Sequence, residues 1–126
     1  DWTFDIQDLN LSELTKMAEI CQTKGYGFTY STVQCHIKPL QQDKASGLYQ
    51  VLSENFPNLS AEKILTVGDS PNDKSLFEES KFPVSVGVAN ILEYANKINH
   101  QPVYVTSKKE AEGFCELAEL LLNIDS

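Results

Sequence analysis

Residues 63–73 read KILTVGDSPND, an apolar, β-branched run that stops on a glycine and is followed by two carboxylates four residues apart. A short run of this composition suits a strand buried on both faces of a parallel sheet. The flanking sequence agrees. Before it, Leu48, Val51, Leu52 and Phe56 mark a helix that starts near Ser46 and stops before Pro57. After it, the pattern predicts a helix carrying Leu76 and Phe77, a strand at 83–88, a helix at 91–98, a strand at 102–106 and a helix at 110–122. In that last helix Phe114, Leu117, Ala118 and Leu121 share one stripe. Alternation of helix and strand builds right-handed crossovers and a parallel sheet covered on both faces, an α/β fold.

The first forty residues break that rhythm. Leu11, Leu14, Met17, Ala18 and Cys21 recur at helical spacing, with Ser12 and Glu13 as capping chemistry and Gly25 as the stop. Residues 26–30 and 34–40 are rich in aromatic and β-branched side chains and read as strands, with Pro39 near an edge or an end. The chain therefore divides into an α+β piece, 1–40, and an α/β piece, 41–126, joined at the turn Gln41, Gln42, Asp43. At 126 residues it is too short for two full domains but long enough for a core.

Charge narrows the partners. The net charge is −8 and the ten basic residues are scattered, which excludes nucleic acid and an anionic membrane surface as partners. A phosphate-bearing ligand would then have to be held locally, through a metal ion. Three cysteines without CxxC spacing suggest neither a disulfide framework nor a zinc site, so a reducing cytoplasm is the expected compartment. No apolar run reaches membrane-span length. The first residue is Asp1 rather than Met, from which we expect that upstream residues have been removed.

In open α/β sheets ligands bind beyond the carboxyl ends of the strands, which is where Asp69 falls. A tight turn through 68–72 would bring Asp73 toward the same point, and two hard oxygen ligands with water and substrate phosphate suit Mg²⁺. The competing reading is that both aspartates merely cap the next helix. Asn72 either orients those ligands or serves the turn. Lys44 stands at the start of the 46–56 helix, the unfavourable end of its dipole, so an anion is expected beside it. Asn90, just past the 83–88 strand, is a further polar candidate, with loop capping as the alternative. Cys35 and His36 are strand neighbours that face opposite sides and cannot share an ion.

The segments DKASGL and KILTVGDSPND, with Lys44, Asp69 and Asp73, resemble the third and fourth motifs of the haloacid dehalogenase-like superfamily. FPVSVGVANILEYANK and PVYVTSKKEAEGF resemble the segments that follow in its subgroup with an α/β cap inserted before the lysine motif, which includes sugar-phosphate phosphatases. Ala45 stands where the subgroup often has glycine.

The resemblance implies the C-terminal half of a Rossmann-like core preceded by half of an α+β cap. It also implies a Mg²⁺-dependent phosphatase whose substrate is a small phosphorylated metabolite, by analogy a sugar phosphate. Lys44 and Asp69 would be catalytic, Asp69 and Asp73 would hold the metal, and Lys44, Asn72 and Asn90 would face the substrate. The family's nucleophile lies in a DxD motif, and no DxD occurs in these residues, so this chain alone is expected to be inactive. Two non-enzymatic readings compete. One is a Mg²⁺- or phosphate-binding interaction module of the same fold. The other, a receiver-like signalling domain, would place the acidic pair after its first strand rather than a middle one. In the family fold the strand from Lys63 to Val67 pairs with the nucleophile strand. Its edge should therefore be filled by a missing N-terminal half or by a homodimer partner.

Overall fold

Two three-stranded sheets divide the molecule, one antiparallel and one parallel. The computed structural model describes residues 1–124. In the first sheet β2 (Tyr26–Tyr30) and β3 (Gln34–Pro39) are joined by residues 31–33, too few for a crossover, so they can pair only antiparallel. The Ser31 hydroxyl accepts the Val33 and Gln34 amides at 3.2 and 3.1 Å, which fixes the turn. Pro39 ends β3, where its missing N–H does no harm. A strand at the start of the chain, β1 (Trp2–Asp5), pairs with the other side of β3 and makes β3 central. No pattern in residues 1–5 foretold β1. It is only four residues long, and Trp2 is 75% exposed, so its pairing rather than its pattern defines it.

Helix α1 (Leu11–Thr23) starts at Leu11 as expected, but with a different cap. Asn10, not Ser12, is its cap: Asn10 Oδ1 accepts the Glu13 amide and Glu13 Oε2 accepts the Asn10 amide, both at 2.9 Å. The capping chemistry is the expected box moved two residues upstream. The helix packs Leu14 against Tyr30 and Cys35, with Phe4, Ile6, Leu9 and Phe28 around them. Tyr94 joins this cluster from the second half of the chain, its ring 5.9 Å from that of Tyr30.

The second sheet runs β4 (Leu65–Gly68), β5 (Val84–Gly87), β6 (Tyr104–Val105), all parallel. α2 (Lys44–Asn55) precedes it and α3 (Glu110–Leu122) follows. Lys63 lies in a 3₁₀ turn, Ala61–Lys63, so the predicted strand starts two residues late. The crossovers are 3₁₀ segments, Pro71–Phe77 and Ala89–Lys97, rather than the α-helices the apolar spacing suggested. In the first, Pro71, Asp73, Ser75 and Phe77 are buried, alternate residues rather than one α-helical stripe. Asn, Asp and Ser favour local side-chain bonds over the α-helical ladder. Thr66 in β4 clamps the segment by donating to the Leu76 carbonyl at 2.7 Å.

Phe77, Ile91 and Ile98 form the core of this half, and Tyr49 of α2 stacks on buried Phe82 at 5.0 Å. α2 and α3 are covered less than their stripes predict. Val51, Phe56, Phe114 and Leu121 all stay exposed, while Ala45, Gly113 and Leu117 are the buried contacts. Among the described residues β4 pairs only with β5, which leaves its other edge open. Among the described residues no helix is long and apolar enough to cross a membrane.

Candidate active site

The polar residues singled out in the sequence converge where β4 ends. Asp73 is the hub. Its Oδ2 accepts the Asp69 amide at 2.9 Å and the Ser70 amide at 3.3 Å, and its Oδ1 pairs with the Lys44 ammonium. Asp73 is buried, and Lys44 is about half exposed. The anion that the helix dipole requires beside Lys44 is therefore this carboxylate. Asp43 caps α2 through the Ser46 amide at 2.8 Å, and buried Ser75 Oγ accepts the Ala45 amide at 3.1 Å. These contacts tie the start of α2 to the 3₁₀ segment that carries Asp73.

Gly68 makes the turn possible. A Cβ there would stand 2.7 Å from Asp73 Cγ and 2.8 Å from Oδ2, so only glycine lets the carboxylate reach back to the strand end.

Asp69 is held from the opposite side. Asn90, 3% exposed, donates from Nδ2 to Asp69 Oδ2 at 3.1 Å and accepts the Glu110 amide on Oδ1 at 3.1 Å. Glu110 opens α3 with φ +50°, a strained conformation for a residue with a Cβ. Asn90 thus links the catalytic candidate to the first residue of α3, a partner the sequence did not reveal. Glutamate carries no local signal for a left-handed φ, so only the distant pairing could disclose it. Asn72 is half-buried and makes no hydrogen bond to either carboxylate among the described residues; it lines a cleft on the far side of Lys44.

The capping reading and the metal reading can now be weighed atom by atom. Both oxygens of Asp73 are engaged in fixing the turn and Lys44. Asp69 Oδ1 accepts no hydrogen bond among the described residues, and Asp69 lines a cleft with Lys44, Gly68, Asp73, Glu110 and Phe114. A hard cation that keeps several waters needs one or two such carboxylates. The donor set fits Mg²⁺: Asp69 could present an oxygen to the ion, and Asp73 fixes the turn beside it. No three His, Cys, Asp or Glu side chains converge among the described residues. Cys35 is fully buried while His36, partly buried, lies on the other side of the strand beside Asp1, as strand alternation requires. Tyr94 lies close enough to sense Asp69. Burial first, then the charges of Glu93 and Asp69, push its hydroxyl above the ordinary tyrosine range.

Comparison with known proteins fits this geometry. Residues 5–116 match the sequence profile of the haloacid dehalogenase-like hydrolases. A phosphoglycolate phosphatase of Methanosarcina acetivorans is 35% identical over 88 residues, which is 68% of this chain and 35% of the relative. Among solved structures, a Thermoplasma acidophilum protein superposes with a TM-score of 0.65 at 20% identity, over 91% of this chain and 48% of its own. A haloacid dehalogenase-like hydrolase from B. subtilis gives 0.63 at 16%, over 90% and 38%. These likenesses establish the Rossmann-like α/β fold. The chain spans about a third of the length of the curated relative and less than half of either solved one.

Proposed function

The chain belongs to the haloacid dehalogenase-like hydrolase family, and from that premise we propose that it carries the lysine and acidic-pair half of a Mg²⁺-dependent phosphoric-monoester hydrolase. The observation that carries this reading is the linked set Lys44, Asp73, Asp69 and Asn90 at the carboxyl end of β4. Residues 1–40 are the second part of an α+β cap, and 41–126 are the C-terminal half of the core. The nucleophile strand comes from the remaining length of the protein and pairs along the open edge of β4.

The overall reaction adds water across the ester: its oxygen ends on phosphorus, the P–O bond to the alcohol breaks, and the alcohol leaves with the proton. Mg²⁺ supplies charge neutralisation at the phosphoryl oxygens when bound. Asp69 would hold the ion through its free oxygen, and Asn90 holds that carboxylate in place. Asp73 fixes the turn and aims Lys44, whose ammonium balances charge developing on the phosphoryl group. Asn72 stands beside Lys44 on the substrate side.

The substrate is a small phosphorylated metabolite. The 35%-identical relative is named for phosphoglycolate, an acid, whereas the wider subgroup suggests a sugar phosphate. The net charge of −8 argues against nucleic acid, and the unpaired thiols fit a reducing cytoplasm. The test is hydrolysis of small phosphomonoesters by the full-length protein with and without Mg²⁺. Metal-dependent turnover that survives the removal of contaminating phosphatases supports the reading. Metal binding without turnover would replace it with a non-catalytic module.

A further inference from the structure

Lys44 has two faces. One lines the cleft of Asp69 and Asp73. The other lines a second cleft, about 190 Å³, with Asn72 and with His36 and Lys38 from the N-terminal sheet. His36 and Lys38 are two residues apart on β3 and so project from the same side of the strand.

Lys38 is half-buried and makes no ion pair or hydrogen bond among the described residues. Burial pushes its ammonium below the usual lysine range, and Lys74 and Lys44 push it further, against the pull of Asp43. His36 is pushed down by burial and then by Lys38 and Lys44. Two carboxylates share the cleft, but both are engaged. Asp43 caps Ser46, and Asp1 Oδ2 lies 3.6 Å from His36 Nδ1. The ammonium groups of Lys38 and Lys44, lining one cleft and partly withdrawn from water, destabilise each other, and the arrangement becomes favourable when an anion enters beside them and the His36 ring.

We propose that this second cleft receives an anionic group on the leaving alcohol, so that the preferred substrates are phosphomonoesters bearing a carboxylate or a further phosphate close to the ester. The inference rests on the phosphatase reading and deepens it. With the ester phosphate on the Asp69 side of Lys44, the alcohol crosses that lysine into the cleft of His36 and Lys38. A single charge-assisted contact there is worth about tenfold or more in recognition. The N-terminal piece then selects substrate by charge rather than by a sugar-shaped pocket.

The experiment compares kcat/KM of the full-length protein for ethyl phosphate, phosphoglycolate and ethane-1,2-diol bisphosphate, which share a two-carbon alcohol. The expected result is a preference of at least about tenfold for one or both anionic esters. Which of the two is preferred identifies the anion as carboxylate or phosphate. In Lys38→Met and in His36→Gln the preference should fall by about tenfold, mainly through KM. Lys38→Gln serves where Lys38→Met fails to fold. Equal kcat/KM for all three esters, or a preference that survives both substitutions, overturns the subsite and leaves the phosphatase reading standing. Hydrolysis of none of the esters sinks the phosphatase reading and the subsite together.

Discussion

The two sheets solve the same packing problem in opposite ways. The antiparallel sheet is ordered by apolar packing: β2 and β3 are joined by three residues, and Phe4, Phe28 and Tyr30 follow one another at ring separations of 6.4 Å over α1. The parallel sheet is ordered differently. β4 keeps an open edge, and what orders its carboxyl end is a set of polar contacts among Lys44, Asp69, Asp73 and Asn90. Apolar contacts dominate the first region, whereas charge and buried hydrogen bonds set the geometry of the second. The contrast teaches that apolar packing orders the first half while polar contacts order the strand end of the second, where the proposed chemistry would lie.

Substitutions can break or sharpen that contrast. The largest effect is expected at Asp69→Asn in the full-length protein. Activity should fall by at least about 100-fold, with the melting temperature nearly unchanged, because the open ligand oxygen is lost while the Asn90 side remains polar. Asn90→Ala should lower both activity and Mg²⁺ affinity by about 10- to 100-fold, read by enzyme kinetics and calorimetric metal titration. Unchanged metal affinity would reduce Asn90 to a loop cap. Leu14→Ala should do the reverse of Asp69→Asn. Denaturant unfolding should show a loss of about 2–4 kcal/mol from the apolar half, with kcat for a small ester preserved. Gly68→Ala should affect both halves of the contrast, lowering stability by about 1–3 kcal/mol and activity with it, since its methyl would displace the Asp73 carboxylate.

The smallest effect is pH-dependent. His36 is pushed below its ordinary value of 6.5 by burial and by Lys38 and Lys44, so folding favours the neutral ring. Its contribution is full above that value and lost as pH falls through the lower folded one. The melting temperature should decline on acidification in this window, and less steeply in His36→Gln.

Much of this was legible in the sequence because the decisive signals are local. Apolar residues ending on Gly68 and Asp69 located β4 and the site beyond it, and the helix dipole at Lys44 foretold the carboxylate found there. What the sequence hid depends on distant pairing. β1 is visible only against β3, Asn90 acquires its role only when Glu110 turns left-handed beside it, and the 3₁₀ crossovers arise from tertiary clamps such as Thr66 on Leu76. The spacing of Asp69 and Asp73 suggested that both carboxylates serve one ion, Asp69 directly and Asp73 directly or through water; it did not show that Asp73 also accepts the Asp69 amide and pairs with Lys44.

The most direct test of the central claim is hydrolysis of an aryl phosphate by the full-length protein, measured with Mg²⁺, after chelation, and in Lys44→Ala and Asp69→Asn. The account predicts turnover that needs the metal and is lost in both variants while their folds persist. Turnover that ignores chelation, or that survives both substitutions, would contradict it.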